Sequence, residues 1–312
     1  MRDATLDVPT RPSQAQGAAA PTASGSAPLA SLSPAGEGLG SPASSLHLPW
    51  HPSPLLQATA LVHAGAAAAA VLAPESWPWA LGAVAANQTV LTLAGLWPRS
   101  DWLGPNLTRL PPAACGRGEI AITIDDGPDP EVTPAVLDLL DRYGAAASFF
   151  CIADRALRHP ELCREIAARG HGVENHSFGH RHHFALLGYR GFLRELSAAQ
   201  AALTGITGVT PTFFRAPAGL RNPLLDPVLH RLGLRLAAWT RRGFDTRYGD
   251  ADAVLARLLR GLAAGDILLL HDGNAARSRR SGRAVILEAL PRLLEAVQAA
   301  GLRPVTLRSA LE

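Results

Sequence analysis

From residue 117 onward, short apolar runs alternate with stretches in which apolar positions recur at helical spacing. The runs at 119–124 (EIAITI), 146–151 (AASFFC), 172–175, 211–215, 234–239, 266–270 (DILLL) and 303–306 predict strands. Between them, 131–143, 160–169, 190–204, 223–232, 250–263 and 283–300 predict amphipathic helices, with Gly144, Gly170 and Gly301 as C-terminal stops. Repeated strand–helix units imply an α/β fold with a parallel sheet, and seven strands in this length suit a small barrel.

Upstream the pattern is different. Residues 54–73 and 80–96 are apolar runs near membrane-spanning length with no Asp, Glu, Lys or Arg, separated by a Pro-rich turn. Trp50, Trp77, Trp79, Trp97 and Trp102 sit at or just beyond their ends, where interfacial anchors belong. The expectation for 48–98 is a helical hairpin in the inner (cytoplasmic) membrane, with two spanning helices. A pair of soluble Ala-rich helices is the competing reading, because Gln57, His63, Asn87 and Gln88 lie mid-segment. Two crossings would leave both chain ends on one side. Arg99 and Arg109 after the second run, against Glu75 in the turn, favour the cytoplasmic side for the main domain.

Residues 1–47 are rich in Ala, Pro, Ser and Gly without periodicity, a composition expected to stay disordered. Asp3 and Asp7 stand where a signal peptide would be basic. Residues 99–116 read as a linker, and 117–312 as the main domain.

The 312-residue chain is 47% hydrophobic, enough for a substantial core, with a net charge of only +3 that gives no footprint for nucleic acid. All 29 basic residues are Arg. Without Lys there is no Walker-A loop, pyridoxal Schiff base or protein-kinase core. Cys115, Cys151 and Cys163 are too few and too scattered for a thiolate zinc site, and agree with a reducing compartment.

In such a fold the loops after strand C-termini carry the chemistry. They deliver Asp125-Asp126-Gly127, then His176-Ser177-Phe178-Gly179-His180, Arg215-Ala216-Pro217-Ala218-Gly219, Trp239 with Asp245, and His271-Asp272. The i, i+4 pair His176 and His180 can share one helical face, and a carboxylate would complete a His₂Asp set with open positions for water and substrate. With His171, His182 and His183 close by, a solvated histidine-rich loop is equally compatible with the pair alone, and Asp-Gly is common in turns.

Taken together, these motifs are similar to those of the polysaccharide deacetylases of the NodB-homology type, carbohydrate esterase family 4. The family's T-F-D-D-G resembles Thr123 to Gly127, its H-S/T-x-x-H resembles His176 to His180, its R-x-P-x-G resembles Arg215 to Gly219, and its L-x-H-D resembles Leu269 to Asp272. The resemblance implies an irregular (β/α)7 barrel over 117–312. It also implies hydrolysis of N-acyl groups, N-acetyl foremost, on amino sugars with one divalent metal ion, Zn²⁺ foremost and Co²⁺ or another divalent ion otherwise. On that analogy Asp126, His176 and His180 hold the metal, Asp125 is the base and Arg215 positions Asp125. Ala218, with Pro217 and Trp239, would form the oxyanion and substrate pocket, and His271 would be the acid.

One departure stands out. Arg242 occupies the place of the family Asp that tunes the acid histidine, and Thr246 the place of a Trp, which leaves Asp245 as the expected partner of His271. Arg277, Arg279, Arg280 and Arg283 follow His271 in a basic loop, either solvated or able to clamp a phosphate. With the hairpin, this brings lipid-linked saccharides alongside glycans as expected partners. A catalytically silent, membrane-anchored carbohydrate-binding protein on the same scaffold, and an amidohydrolase for a non-sugar amide, are the alternatives.

Overall fold

The computed structural model describes residues 49–312; the tail expected over 1–47 lies outside the described residues. Its elements run α1 (Pro54–Leu72), α2 (Trp77–Leu96), α3 (Pro112–Gly116), β1 (Glu119–Asp125), α4 (Thr133–Arg142), β2 (Ala147–Cys151), α5 (Ala153–Arg158), α6 (Pro160–Ala168) and β3 (Gly172–Asn175). They continue with α7 (Tyr189–Thr207), β4 (Phe213–Phe214), α8 (Leu225–Arg231), β5 (Arg235–Leu236), β6 (Arg241–Arg242), α9 (Ala251–Leu259), β7 (Ile267–His271), α10 (Ile286–Ala299) and β8 (Arg303–Val305).

The strands form one parallel sheet in the order β5-β4-β3-β2-β1-β7-β6, and β8 pairs with the first residues of β1. This is a curled, incompletely closed α/β barrel. β1 is buried at every position, as a central strand covered on both faces must be. Ile120, Ile122 and Ile124 face α4 and α10, whose Val136, Leu140, Leu290 and Leu294 complete the larger core.

Three features differ from expectation. The run 234–239 does not make one strand: β5 ends at Leu236, residues 237–240 bend, and β6 begins at Arg241. Leu107 fills the gap by donating its N–H to Leu236 O and accepting from Ala238 N. Residues 99–116, read as a linker, are accordingly packed, with Leu103, Leu110 and Ala114 buried. The helices α3 and α5 were not expected; at five and six residues they are too short to show periodicity.

The two N-terminal helices are long and apolar enough to cross a membrane, and no part of α1's apolar window is buried. Three of their mid-segment polar groups meet a partner across the hairpin: Thr59 Oγ1 donates to Asn87 Oδ1 at 3.2 Å, and Gln88 Nε2 lies 3.3 Å from His63 Nε2. Such pairing reduces the cost of polar groups in an apolar surrounding. The base of the hairpin is tied to the barrel: Trp50 Nε1 donates to Asp226 Oδ2 at 2.8 Å, and Arg221 N–H donates to Gly95 O at 3.1 Å.

Candidate active site

Parallel pairing in register sets the C-terminal ends of the strands side by side. Asp125 is paired with His271 across β1 and β7, and β3 ends one residue before His176. The next residue after β1, Asp126, turns into the left-handed region (φ 73°), as do Ser177 (66°), His180 (47°) and Ala218 (55°). Non-glycine residues take this conformation at a cost, and clusters of them mark functional sites. Gly127 is required by close approach, since a Cβ there would lie 2.3 Å from the Asp272 carboxylate.

Asp126 Oδ1 lies 3.2 Å from both His176 Nε2 and His180 Nε2. It is buried and has no hydrogen-bond partner. The carbonyl of Arg215 accepts from His176 Nδ1 at 2.8 Å, so the hydrogen sits on Nδ1 and the Nε2 lone pair faces the carboxylate. One carboxylate and two imidazoles whose ligand atoms all lie within 4.8 Å of one another fit a divalent cation. Among the described residues this is the one such group.

The protein's charges reflect this crowding. Burial pushes Asp126 up, but the close approach of His176, with the further influence of His271 and His180, outweighs it and holds the carboxyl below its usual range. Burial likewise opposes the charged form of His176, and the Asp125 and Asp126 carboxylates overcome it and raise the imidazole. His180, desolvated and repelled by His176, falls to about 4.

Asp125 is engaged on one side only. Its Oδ1 accepts from Arg215 Nη1 at 2.6 Å, while Oδ2 is 3.8 Å from His176 Nε2. Arg215 is 1% exposed, and its remaining donors go to Thr123 Oγ1, Ala237 O and Ala238 O, with the Phe150 ring 4.1 Å beneath it. All three guanidinium nitrogens are engaged, so the group's position is fixed. His271 Nδ1 donates to Asp245 Oδ1 at 2.8 Å, and the His271 backbone N–H donates to Asp245 Oδ2 at 2.7 Å. Burial opposes a charge on His271, but Asp245 more than offsets it and the imidazole lies above its ordinary value.

Asp125, Asp126, His176, His180, Ala218, Trp239 and His271 line one cavity of about 210 Å³. Arg215 and Asp245 stand behind it, and Pro217, buried in the turn before Ala218, does not line it. Two residues not marked by any sequence motif also belong to the site. Asn274 Nδ2 donates to Asp126 Oδ2 at 3.0 Å, and Arg155 holds Asn274 Oδ1 and the Asp126 carbonyl at 2.9 and 2.8 Å. Asn274 lies two residues beyond the His271-Asp272 pair, and its positive φ of 59° is visible only in the fold.

Known proteins are similar to this chain in sequence and fold. Residues 114–237 match the family model described as polysaccharide deacetylase. A chitooligosaccharide deacetylase of Azorhizobium caulinodans is 35% identical over 59% of this chain and 90% of its own length. A peptidoglycan-N-acetylglucosamine deacetylase of Bacillus cereus is 32% identical over 62% of this chain and 87% of its own. The solved structure of a family 4 carbohydrate esterase from Streptomyces lividans, in complex with acetate, superposes with a TM-score of 0.54 at 32% identity. It covers 60% of this chain and 91% of that one. With four motifs converging on one cavity and relatives matched over nearly their whole length, the chain belongs to the polysaccharide deacetylase family of metal-dependent enzymes that hydrolyse amide C–N bonds in sugars.

Proposed function

We propose that the chain removes an N-acyl group, acetyl foremost, from an amino sugar in a glycan or a lipid-linked saccharide. The observation that carries this reading is the orphaned Asp126 Oδ1, placed 3.2 Å from two Nε2 atoms and flanked by Asp125 and His271. Asp126, His176 and His180 would hold the cation, Zn²⁺ foremost. A divalent ion there supplies Lewis-acid chemistry, acidifying water and polarising an acyl oxygen.

This chain's own groups do the rest. Arg215 occupies Asp125 Oδ1, so Oδ2, facing the cation site, is the atom that accepts the proton from the attacking water. Ala218 lines the cavity, and its backbone N–H would stabilise the oxyanion that forms on the acyl oxygen. His271 spends Nδ1 on Asp245, which leaves Nε2 to give its proton to the departing amine. Trp239 forms an apolar wall of the acyl pocket. The engagement of His271 by Asp245 supports catalysis over a silent binding scaffold.

Both ends of the helical hairpin adjoin the barrel, through Trp50 with Asp226 at the first and Gly95 with Arg221 at the second. This supports a membrane anchor with the site held close to the lipid surface, and the arginine asymmetry favours the cytoplasmic face. The test is a deacylation screen of the metal-loaded protein on soluble and lipid-linked N-acetyl amino sugars, read by mass spectrometry. Loss of one acetyl mass is expected. An untouched panel with a full complement of metal would contradict the reading.

A further inference from the structure

One guanidinium in the cavity has no partner. Arg242 lines it together with His271, Trp239 and Thr246. Among the described residues no carboxylate lies within 4.0 Å of Arg242 and no acceptor receives its hydrogen bonds, and its Nε is buried without a partner. Neighbouring arginines each have a carboxylate partner: Arg215 has Asp125, and Arg241 has Asp266 together with the carbonyls of Arg260 and Gly261.

Arg242 is nevertheless held in place. Its guanidinium lies 5.3 Å from the Trp239 ring and 5.0 Å from the Phe244 ring, within cation–π reach of both. Phe244 adopts a φ of 57°, unfavourable for a bulky residue. A buried N–H left without an acceptor is costly, and the planar fork of this half-buried guanidinium suits a carboxylate or phosphate that enters the cavity.

We propose that Arg242 binds an anionic group, carboxylate or phosphate, carried by the amino-sugar substrate next to its acylated nitrogen. The inference rests on the deacylase reading for its substrate class. Arg242 would then decide between charged and neutral amino sugars, and Thr246, lining the same cavity, leaves room for the added group.

The test compares the metal-loaded wild type with Arg242→Gln and Arg242→Lys. The probes are neutral N-acetylglucosamine oligomers, N-acetylmuramic acid, N-acetylglucosamine 1-phosphate, and a polyprenyl-diphosphate-linked N-acetylglucosamine in phosphatidylcholine vesicles. Both binding, by calorimetry, and kcat/KM are measured, with melting temperature as a check on folding. The wild type should favour at least one anionic probe over its neutral counterpart. Arg242→Gln should lower that ratio by roughly ten- to a hundredfold, the range of a charge-assisted hydrogen bond, and Arg242→Lys should restore part of it. The arm with the largest drop identifies carboxylate, free phosphate or lipid carrier as the source. An anionic-to-neutral ratio that Arg242→Gln leaves unmoved in every arm overturns the proposal. Arg242-dependent binding without any deacylation would leave the anion site standing and instead remove the hydrolase reading.

Discussion

Asp245 holds His271 at two points, the ring Nδ1 at 2.8 Å and the backbone N–H at 2.7 Å. The carboxylate thus fixes both the position of the imidazole and its tautomer, from three residues beyond the place where the family carries its tuning Asp. Against the cost of burial, it also raises the His271 pKa. The acid must be protonated to act, so activity should fall as pH rises through this raised value. In Asp245→Asn the charge is gone and burial dominates, so the alkaline limb should move to lower pH and turnover should drop at least about tenfold. A pH–rate profile checks both. An unmoved alkaline limb with unchanged turnover would show that Asp245 is not the orienting partner.

Asn274 donates to the Asp126 oxygen turned away from the imidazoles, which fixes the rotation of the carboxylate. Outer partners of this kind typically contribute roughly ten- to a hundredfold in metal affinity. Asn274→Gly keeps the left-handed conformation available and removes only the side chain. Competition with a chelating dye should show zinc affinity lowered by about that factor. Equal affinity in variant and wild type would assign Asn274 to the loop alone.

Arg215 is a buried cation with a buried carboxylate and two carbonyls depending on it. Arg215→Met strands Asp125, and breaking one partner of a buried pair costs about 3–5 kcal/mol. Urea denaturation should show a loss of that order together with loss of activity. Arg215→Lys keeps the charge but cannot serve Thr123, Asp125, Ala237 and Ala238 at once, so it should be intermediate in stability.

The hairpin base and the site meet at Gly219. Its φ is +75°, and a Cβ there would lie 2.5 Å from Pro98 Cβ and 2.8 Å from the Trp239 ring. Gly219→Ala should therefore cost roughly 1–3 kcal/mol of stability and should disturb the Trp239 wall, visible as a raised KM. A fully stable variant with an unchanged KM would mean that Pro98 yields freely and that the hairpin base does not shape the cavity.

Much of the site was legible because a parallel barrel converts strand order into neighbourhood. Once 119–124 and 266–270 read as strands, Asp125, Asp126 and His271 had to emerge on one rim. The same logic placed His176, His180 and Arg215. What stayed illegible depends on contacts made across the fold. Arg155 reaches Asn274 from 119 positions away, on a helix too short to announce itself. The break between β5 and β6 follows from Leu107 inserting its own hydrogen bonds at Leu236 and Ala238, which no local pattern at 234–239 encodes. Arg242 could be seen as a departure from the family pattern, but its aromatic neighbours and lack of a counter-ion exist only in three dimensions.

Metal content with local structure is the most direct test of the central claim. The protein, stripped with a chelator and reconstituted with zinc, should bind one ion per chain. X-ray absorption at the zinc edge should show two imidazoles and one carboxylate at about 2.0–2.2 Å, and Asp126→Asn and His176→Gln should each abolish stoichiometric uptake. Uptake that is absent in the wild type, or equal in wild type and both variants, would contradict a cation site at Asp126, His176 and His180.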